Sequence, residues 1–248
     1  MAENEVMEQP KQTFSEVMLA ELESKKDALI QGFNPQRFVM NALSLLNDHP
    51  ELQKYGSGQL KMCLLKGAVL DLDMYRSEAY LVPYKGALQF QISYTGQKKL
   101  AKKYSVRPIK DIQAEVVRDG DVFEKEVTGD NTTFTFKPKP FNDSQIIGAF
   151  CYIQFEDGKC YVEEMSKKEI DNTRNHSIAK NAMAWSDYYA EMARKTVTKR
   201  CLKKVELSFE NNEQMQIFKE DGEIDTTPKR SAVVNPFDDD VECINDGE

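Results

Sequence analysis

Apolar residues recur every three or four positions through the first third of the chain, then every second position, then every three or four again. Phe14, Val17, Met18, Leu22 and Ile30 form the first stripe and predict an amphipathic helix over 14–30. Gly32-Phe33-Asn34-Pro35 ends it, with Asn34 as N-cap and Pro35 as first residue of a second helix reaching about Asn47. Helical spacing persists from Ser57 to Leu70. Period 2 then takes over at Ala79–Pro83 and Leu88–Ile92, short strands separated by Lys85-Gly86. After a predicted helix over 95–104, the runs Ile109–Val117 and Val122–Val127 flank Asp119-Gly120, while Phe150–Phe155 and Lys159–Val162 flank Asp157-Gly158. Asp-Gly between such runs is the favoured two-residue hairpin turn. At the second, that turn puts Cys151, Ile153, Phe155, Cys160 and Val162 on one face and leaves Cys151 and Cys160 out of direct opposition. Helix returns over Ser166–Asn172 and dominates from Ala179 to Val205. The pattern predicts an α+β fold: an antiparallel β-sheet with hairpins packed on a long C-terminal helix, preceded by an α-helical N-terminal region.

Charge changes the picture because it is segregated. The net charge of −8 divides into −4 over residues 1–55, +6 over 56–205 and −10 over 206–248. A basic middle between acidic ends suits a polyanion despite a sequence pI near 5.1. Two clusters carry the positive charge. In the late helix, Ala190, Ala193, Val197, Cys201 and Val205 fall on one apolar stripe, and Lys195, Lys199 and Lys203 form a row away from it, with Arg194 and Arg200 beside them. In the segment SYTGQKKLAKKYSVRP, Lys98, Lys99, Lys102 and Lys103 lie opposite Leu100 and Tyr104, and Arg107 continues the charge. Thr95 and Gly96 stand at that helix start, where a hydroxyl and backbone amides suit a phosphate.

Other chemistry is sparse. The chain has no Walker A loop and no dinucleotide-binding glycine pattern. His49 and His176 lack metal-ligand spacing, and the five cysteines form no CxxC pair, so neither a zinc site nor a disulfide framework is expected. Asp71 and Asp73, with Glu78 nearby, would face one way on a strand and could share a divalent ion as in metal-dependent nucleases; a solvated loop is the other reading. No run approaches the roughly 18 apolar residues of a membrane span, and the acidic N-terminus lacks signal-peptide character, so a soluble, cytoplasmic protein without membrane contact is expected. Residues 1–12 and those after about 220 read as disordered.

Two blocks carry a family resemblance. Ala79-Tyr80-Leu81-Val82-Pro83-Tyr84 followed by Ile92-Ser93-Tyr94-Thr95-Gly96, together with the late helix bearing Trp185, Asp187, Glu191, Met192, Lys195, Thr196 and Lys199, resembles the RecT family of phage single-strand DNA annealing proteins. The resemblance covers about residues 30–210. It implies ATP-independent binding of single-stranded DNA, pairing with a complementary strand during phage-type homologous recombination, and self-assembly into rings or filaments. It also implies a phage exonuclease and a host single-strand-binding protein as partners, no cofactor and no covalent catalytic site. Family folds are likened to those of eukaryotic annealing proteins, in which a β-sheet packs on a long helix.

The expected division is a 1–33 arm and helix for oligomerisation, a 34–210 core for DNA binding and annealing, and a 211–248 acidic, largely disordered tail. The charge faces nominate Thr95, Gln97, Lys98, Lys99, Lys102, Lys103, Arg107, Arg174, Arg194, Lys195, Lys199, Arg200 and Lys203 as DNA contacts. Tyr94, Trp185, Tyr188 and Tyr189 are candidate base stackers, with a core role as the alternative for each. Two rival functions stay open: a single-strand-binding module that does not anneal, and a nuclease using Asp71 and Asp73.

Overall fold

The computed structural model describes residues 13–224 apart from residues 85, 130, 178, 179 and 182. The expected disorder of residues 1–12 and of the last 24 residues therefore lies outside the described residues. Among those described, no helix is long and apolar enough to cross a membrane.

Three helices open the fold: α1 (Phe14–Ser24), α2 (Pro35–Asp48) and α3 (Gly56–Val69). Thr13 caps α1 in a reciprocal box with Glu16, and the Asn34 side chain accepts from the Arg37 amide at the start of α2. The first helix stops six residues earlier than its stripe predicts. The polar run Glu23 to Asp27 offers no apolar side chain to hold another turn to the core, and a short 3-10 turn over Lys26–Ala28 follows. Met18 and Leu22 are fully buried in the chain's own core, whereas Phe14, Val17 and Ile30 of the same stripe stay partly exposed.

Strands β1 (Ala79–Tyr84) and β2 (Ala87–Ile92) pair as an antiparallel hairpin, and α4 (Tyr94–Tyr104) follows directly. A three-stranded antiparallel sheet has the order β3 (Ile109–Arg118), β6 (Ile146–Phe155), β7 (Cys160–Ser166), and β4 (Val122–Thr128) pairs with β5 (Asn131–Lys137) alone. Three expectations are corrected here. The Asp119-Gly120 turn does not join a hairpin: β3 pairs with β6 instead, and the turn hands the chain to a second hairpin closing at Gly129, whose strand β5 the pattern did not predict. The β6–β7 connection is a three-residue loop, Glu156 to Gly158, with Phe155 N–H bonding to the Lys159 carbonyl and Gly158 at φ 85°. That one extra residue turns β7 over, so Tyr161 faces Ile153 and Val162 faces Tyr152, and Cys160 and Val162 leave the Cys151 face.

The long late helix is also broken. After α5 (Lys167–His176) come α6 (Met183–Asp187) and α7 (Tyr189–Leu202), separated at Tyr188, whose φ −127° and ψ 42° are not helical. Ser186 and Asp187 engage each other just before the break. Finally, the region expected as tail from 211 begins with a helix, α8 (Asn212–Ile224), in which Gln214 is fully buried and Ile217 nearly so.

The interior is organised around two main clusters. One joins α1–α3, β2 and the Leu100–Tyr104 side of α4 to Leu207, Phe209, Ile217 and Phe218 near the C-terminus. The other lies between the three-stranded sheet and α5–α7, with Ile112, Cys151, Ile153, Ile170, Trp185, Val197 and Cys201 buried. On the sheet's opposite face the β4–β5 hairpin closes over Phe150, whose ring centre lies 4.6, 5.5 and 5.0 Å from those of Phe123, Phe134 and Phe136. Both helix and strand layers thus enclose the sheet.

Candidate nucleic-acid interface

The two basic helices α4 and α7 lie against each other. On α4, Leu100 and Tyr104 are buried as predicted; on α7, so are Ala193, Val197 and Cys201, joined by Thr198. Their cations project from the remaining faces, and the structure supplies most of them with carboxylates. Lys99 bonds the Asp71 carbonyl and lies 2.8 Å from Glu78, Lys103 lies 3.8 Å from Asp71, and Lys102 lies 3.1 Å from Asp111. Arg194 bridges Glu115 and Glu191, and Arg200 bridges Glu163 and Glu169. The Ser166 amide, then the Arg200 guanidinium, hold the Glu169 carboxyl below its ordinary range. Lys98 and Lys203 have no ion-pair partner among the described residues. Half-buried Lys195 lies farther along α7, while Gln97, Lys199 and Lys203 meet Phe218 and Asp221 at a cleft of about 240 Å³ where α4, α7 and α8 converge.

Pairing does not disqualify these cations. Half-exposed ion pairs are worth about 0–1 kcal/mol. A strand offering a phosphate at every nucleotide can therefore exchange for the carboxylates at small cost.

Several nominated groups are committed elsewhere. The Gly96 amide donates to the capping Ser93 hydroxyl at 3.0 Å, and the Thr95 hydroxyl donates to the Ser77 carbonyl, so the start of α4 spends on its own chain the groups expected to hold a phosphate. Arg107 clamps the β6–β7 turn through Asp157 at 2.7 Å and stacks 3.9 Å from the Phe155 ring centre. Arg174 donates to the Lys180 carbonyl and lies over Trp185. Among the candidate stackers, Trp185 is core, the Tyr189 hydroxyl donates to Asp171 at 2.7 Å, Tyr94 is half-buried, and Tyr188 stands exposed at the helix break.

Asp71 and Asp73 do not share a strand. They sit in the loop between α3 and β1: Asp71, at φ 55°, faces Lys99 and Lys103, and Asp73 accepts from Asn41 and from the Tyr75 amide. Among the described residues no group of three or more His, Cys, Asp or Glu side chains is placed to hold a metal ion.

Sequence reasoning passed over the loop joining β5 to β6. Phe141 there is fully exposed, next to Lys137 and Lys139. The signal was available: Lys137-Pro138-Lys139-Pro140-Phe141 excludes a central strand and spaces two cations ahead of an aromatic ring.

The model of the RecT family matches residues 36–233. The chain is 31% identical to Protein RecT of Escherichia coli (strain K12) over 193 residues, covering 74% of this chain and 71% of that protein. It is 25% identical over 177 residues to the uncharacterized protein YqaK of Bacillus subtilis (strain 168), covering 71% of this chain and 61% of YqaK. With four-fifths of its length inside the family match and its basic helices packed together, the chain belongs to the RecT family.

Proposed function

We propose that this protein binds single-stranded DNA and anneals it to a complementary strand in phage-type homologous recombination, without ATP and as an oligomeric ring or filament. The carrying observation is the pairing of α4 and α7, each burying an apolar stripe and turning cations outward. Lysine and arginine side chains grip phosphates without reading sequence, which leaves bases free to test a partner strand. Lys98, Lys102, Lys103, Lys195, Lys199 and Lys203 form the grip, with Arg194 and Arg200 released from their carboxylates as phosphates replace them. Assembly links many such sites along one strand, so modest affinity per subunit becomes tight binding. A phage exonuclease and a host single-strand-binding protein are the proposed protein partners, and the cytoplasm is the proposed compartment.

Two complementary oligonucleotides incubated with the protein, with and without magnesium and without ATP, test the reading. Accelerated duplex formation in both conditions is expected. Strand protection without acceleration would mark a non-annealing binding protein, and magnesium-dependent degradation would mark a nuclease. In the same assay, Lys98→Ala with Lys203→Ala should weaken binding to all sequences alike. If each lysine holds one phosphate, the log–log salt slope should shrink by about 1.4, at roughly 0.7 per phosphate on a single strand.

A further inference from the structure

Phe141 combines two features that a side chain without a partner does not need. Its ring is wholly exposed, and its φ of 53° lies in the left-handed region, which is a strained place for a bulky residue. The loop that holds it is nonetheless firmly tied. Asp121 accepts from the Arg118 amide, the Lys139 amide and the Asn142 side chain at 2.8, 2.9 and 2.9 Å. Asn142 also donates to the Asp119 carbonyl, and Arg118 reaches the Ser144 carbonyl at 2.8 Å. Pro138 and Pro140 remove further freedom from the segment. A rigid mount for an exposed, strained ring is preorganisation for contact.

The surroundings indicate what the contact is with. Lys137 and Lys139 are exposed and have no ion-pair partner among the described residues. A hollow of about 480 Å³ beside the loop is lined by Arg118 and Lys139, by apolar Val116 and Phe136, and by Glu115 and Asp121, whose carboxylates are taken up by Arg194 and by the loop's own amides. Strand β3 connects this loop to the basic helices: Asp111 receives Lys102 of α4, Glu115 receives Arg194 of α7, and Arg118 holds the loop itself. The path from 111 to 118 is about 23 Å at roughly 3.3 Å per residue. An aromatic face beside two exposed lysines, at the far end of the strand whose carboxylates anchor Lys102 and Arg194, matches single-stranded nucleic acid better than an apolar protein surface.

We propose that Phe141 is a base-stacking contact for single-stranded nucleic acid, with Lys137 and Lys139 holding the flanking phosphates. The proposal rests on the single-strand binding read above and extends that surface to the far end of β3.

The test compares an oligothymidylate with an abasic oligonucleotide of equal length, measuring affinity and salt slope for Phe141→Ala, Phe141→Trp and Lys137→Ala/Lys139→Ala, with sedimentation of each variant. Phe141→Ala should bind the base-bearing strand about tenfold more weakly, leave the abasic strand and the salt slope unchanged, and sediment normally. Phe141→Trp should retain affinity, and the double lysine variant should lose affinity for both strands with a shallower slope. Unchanged affinity of Phe141→Ala, or an equal loss on both strands, would overturn the proposal. So would smaller assemblies with unchanged affinity per subunit, which would make the ring a contact between copies of the chain. Wild-type protein that binds neither strand overturns both this proposal and the function above. A base-dependent loss in a protein that does not anneal upholds Phe141 and overturns annealing alone.

Discussion

A methyl group on Gly96 would run into the Glu78 carbonyl, far inside contact distance, and into Ile92 at 3.0 Å. The start of α4 is pressed against the chain leaving β2 and the 77–78 turn, where Ser93 donates its hydroxyl to the same Glu78 carbonyl. Backbone cannot yield as a flexible side chain can. Gly96→Ala should therefore cost about 1–3 kcal/mol, read as a lowered midpoint in denaturant unfolding. At this scale the helical wheel placed Leu100 and Tyr104 inside and the four lysines outside, because one helix decides that arrangement alone. It could not place Asp71, Glu78 and Asp111 beside those lysines, because partners that are distant in sequence are set by tertiary packing. The same limit explains why Thr95 and Gly96 looked available.

Whole elements show where periodicity is sufficient and where it fails. The three N-terminal helices, the β1–β2 hairpin and the basic helix were legible, since caps and stripes are local signals. Hairpin register was not: Asp-Gly serves both a two-residue turn and the end of a three-residue loop, and the difference of one residue turns over a strand. A stripe likewise cannot reveal the stop at Tyr188, because Ala190 to Val205 keeps its spacing whether or not the preceding turn is continuous. The Ser166–Glu169 capping box at α5 gives an element-scale prediction. Ser166→Ala should cost about 1 kcal/mol, measured by thermal unfolding. Glu169 has its carboxyl depressed, so its contribution is complete above the ordinary value of 4.5 and disappears as pH falls through the lower folded value. Glu169→Gln should flatten that acid limb of the stability curve and leave the neutral limb's slope unchanged.

For the molecule as a whole, the decisive element is α8. Gln214 accepts from the Glu210 amide and donates to the Val69 carbonyl, Lys25 and Lys66 pair with Glu213 and Glu220, and Asp221 accepts from the Ile92 amide. Truncation after residue 211 should destabilise the protein by several kcal/mol, since it removes Ile217 and Phe218 from the first core and orphans the Val69 carbonyl. Truncation after residue 224 should leave unfolding unchanged. It removes seven acidic and two basic residues, so it should also tighten DNA binding at low salt, with the gain vanishing as salt screens the tail; equal binding at all salt concentrations would assign the tail to solubility or partner docking.

The position of α8 in the chain also sets an order of events during synthesis. Helices α1–α3 leave the ribosome first, yet the helix that completes their core starts about 140 residues after α3 ends, roughly 7–29 s at 5–20 residues per second. For that interval the earliest-made part of the protein waits, incomplete, for the latest, while the sheet and α7 are translated between them. Closing so distant a contact makes the first core slow to finish. The nascent chain accordingly has its greatest need of a chaperone at its oldest segment.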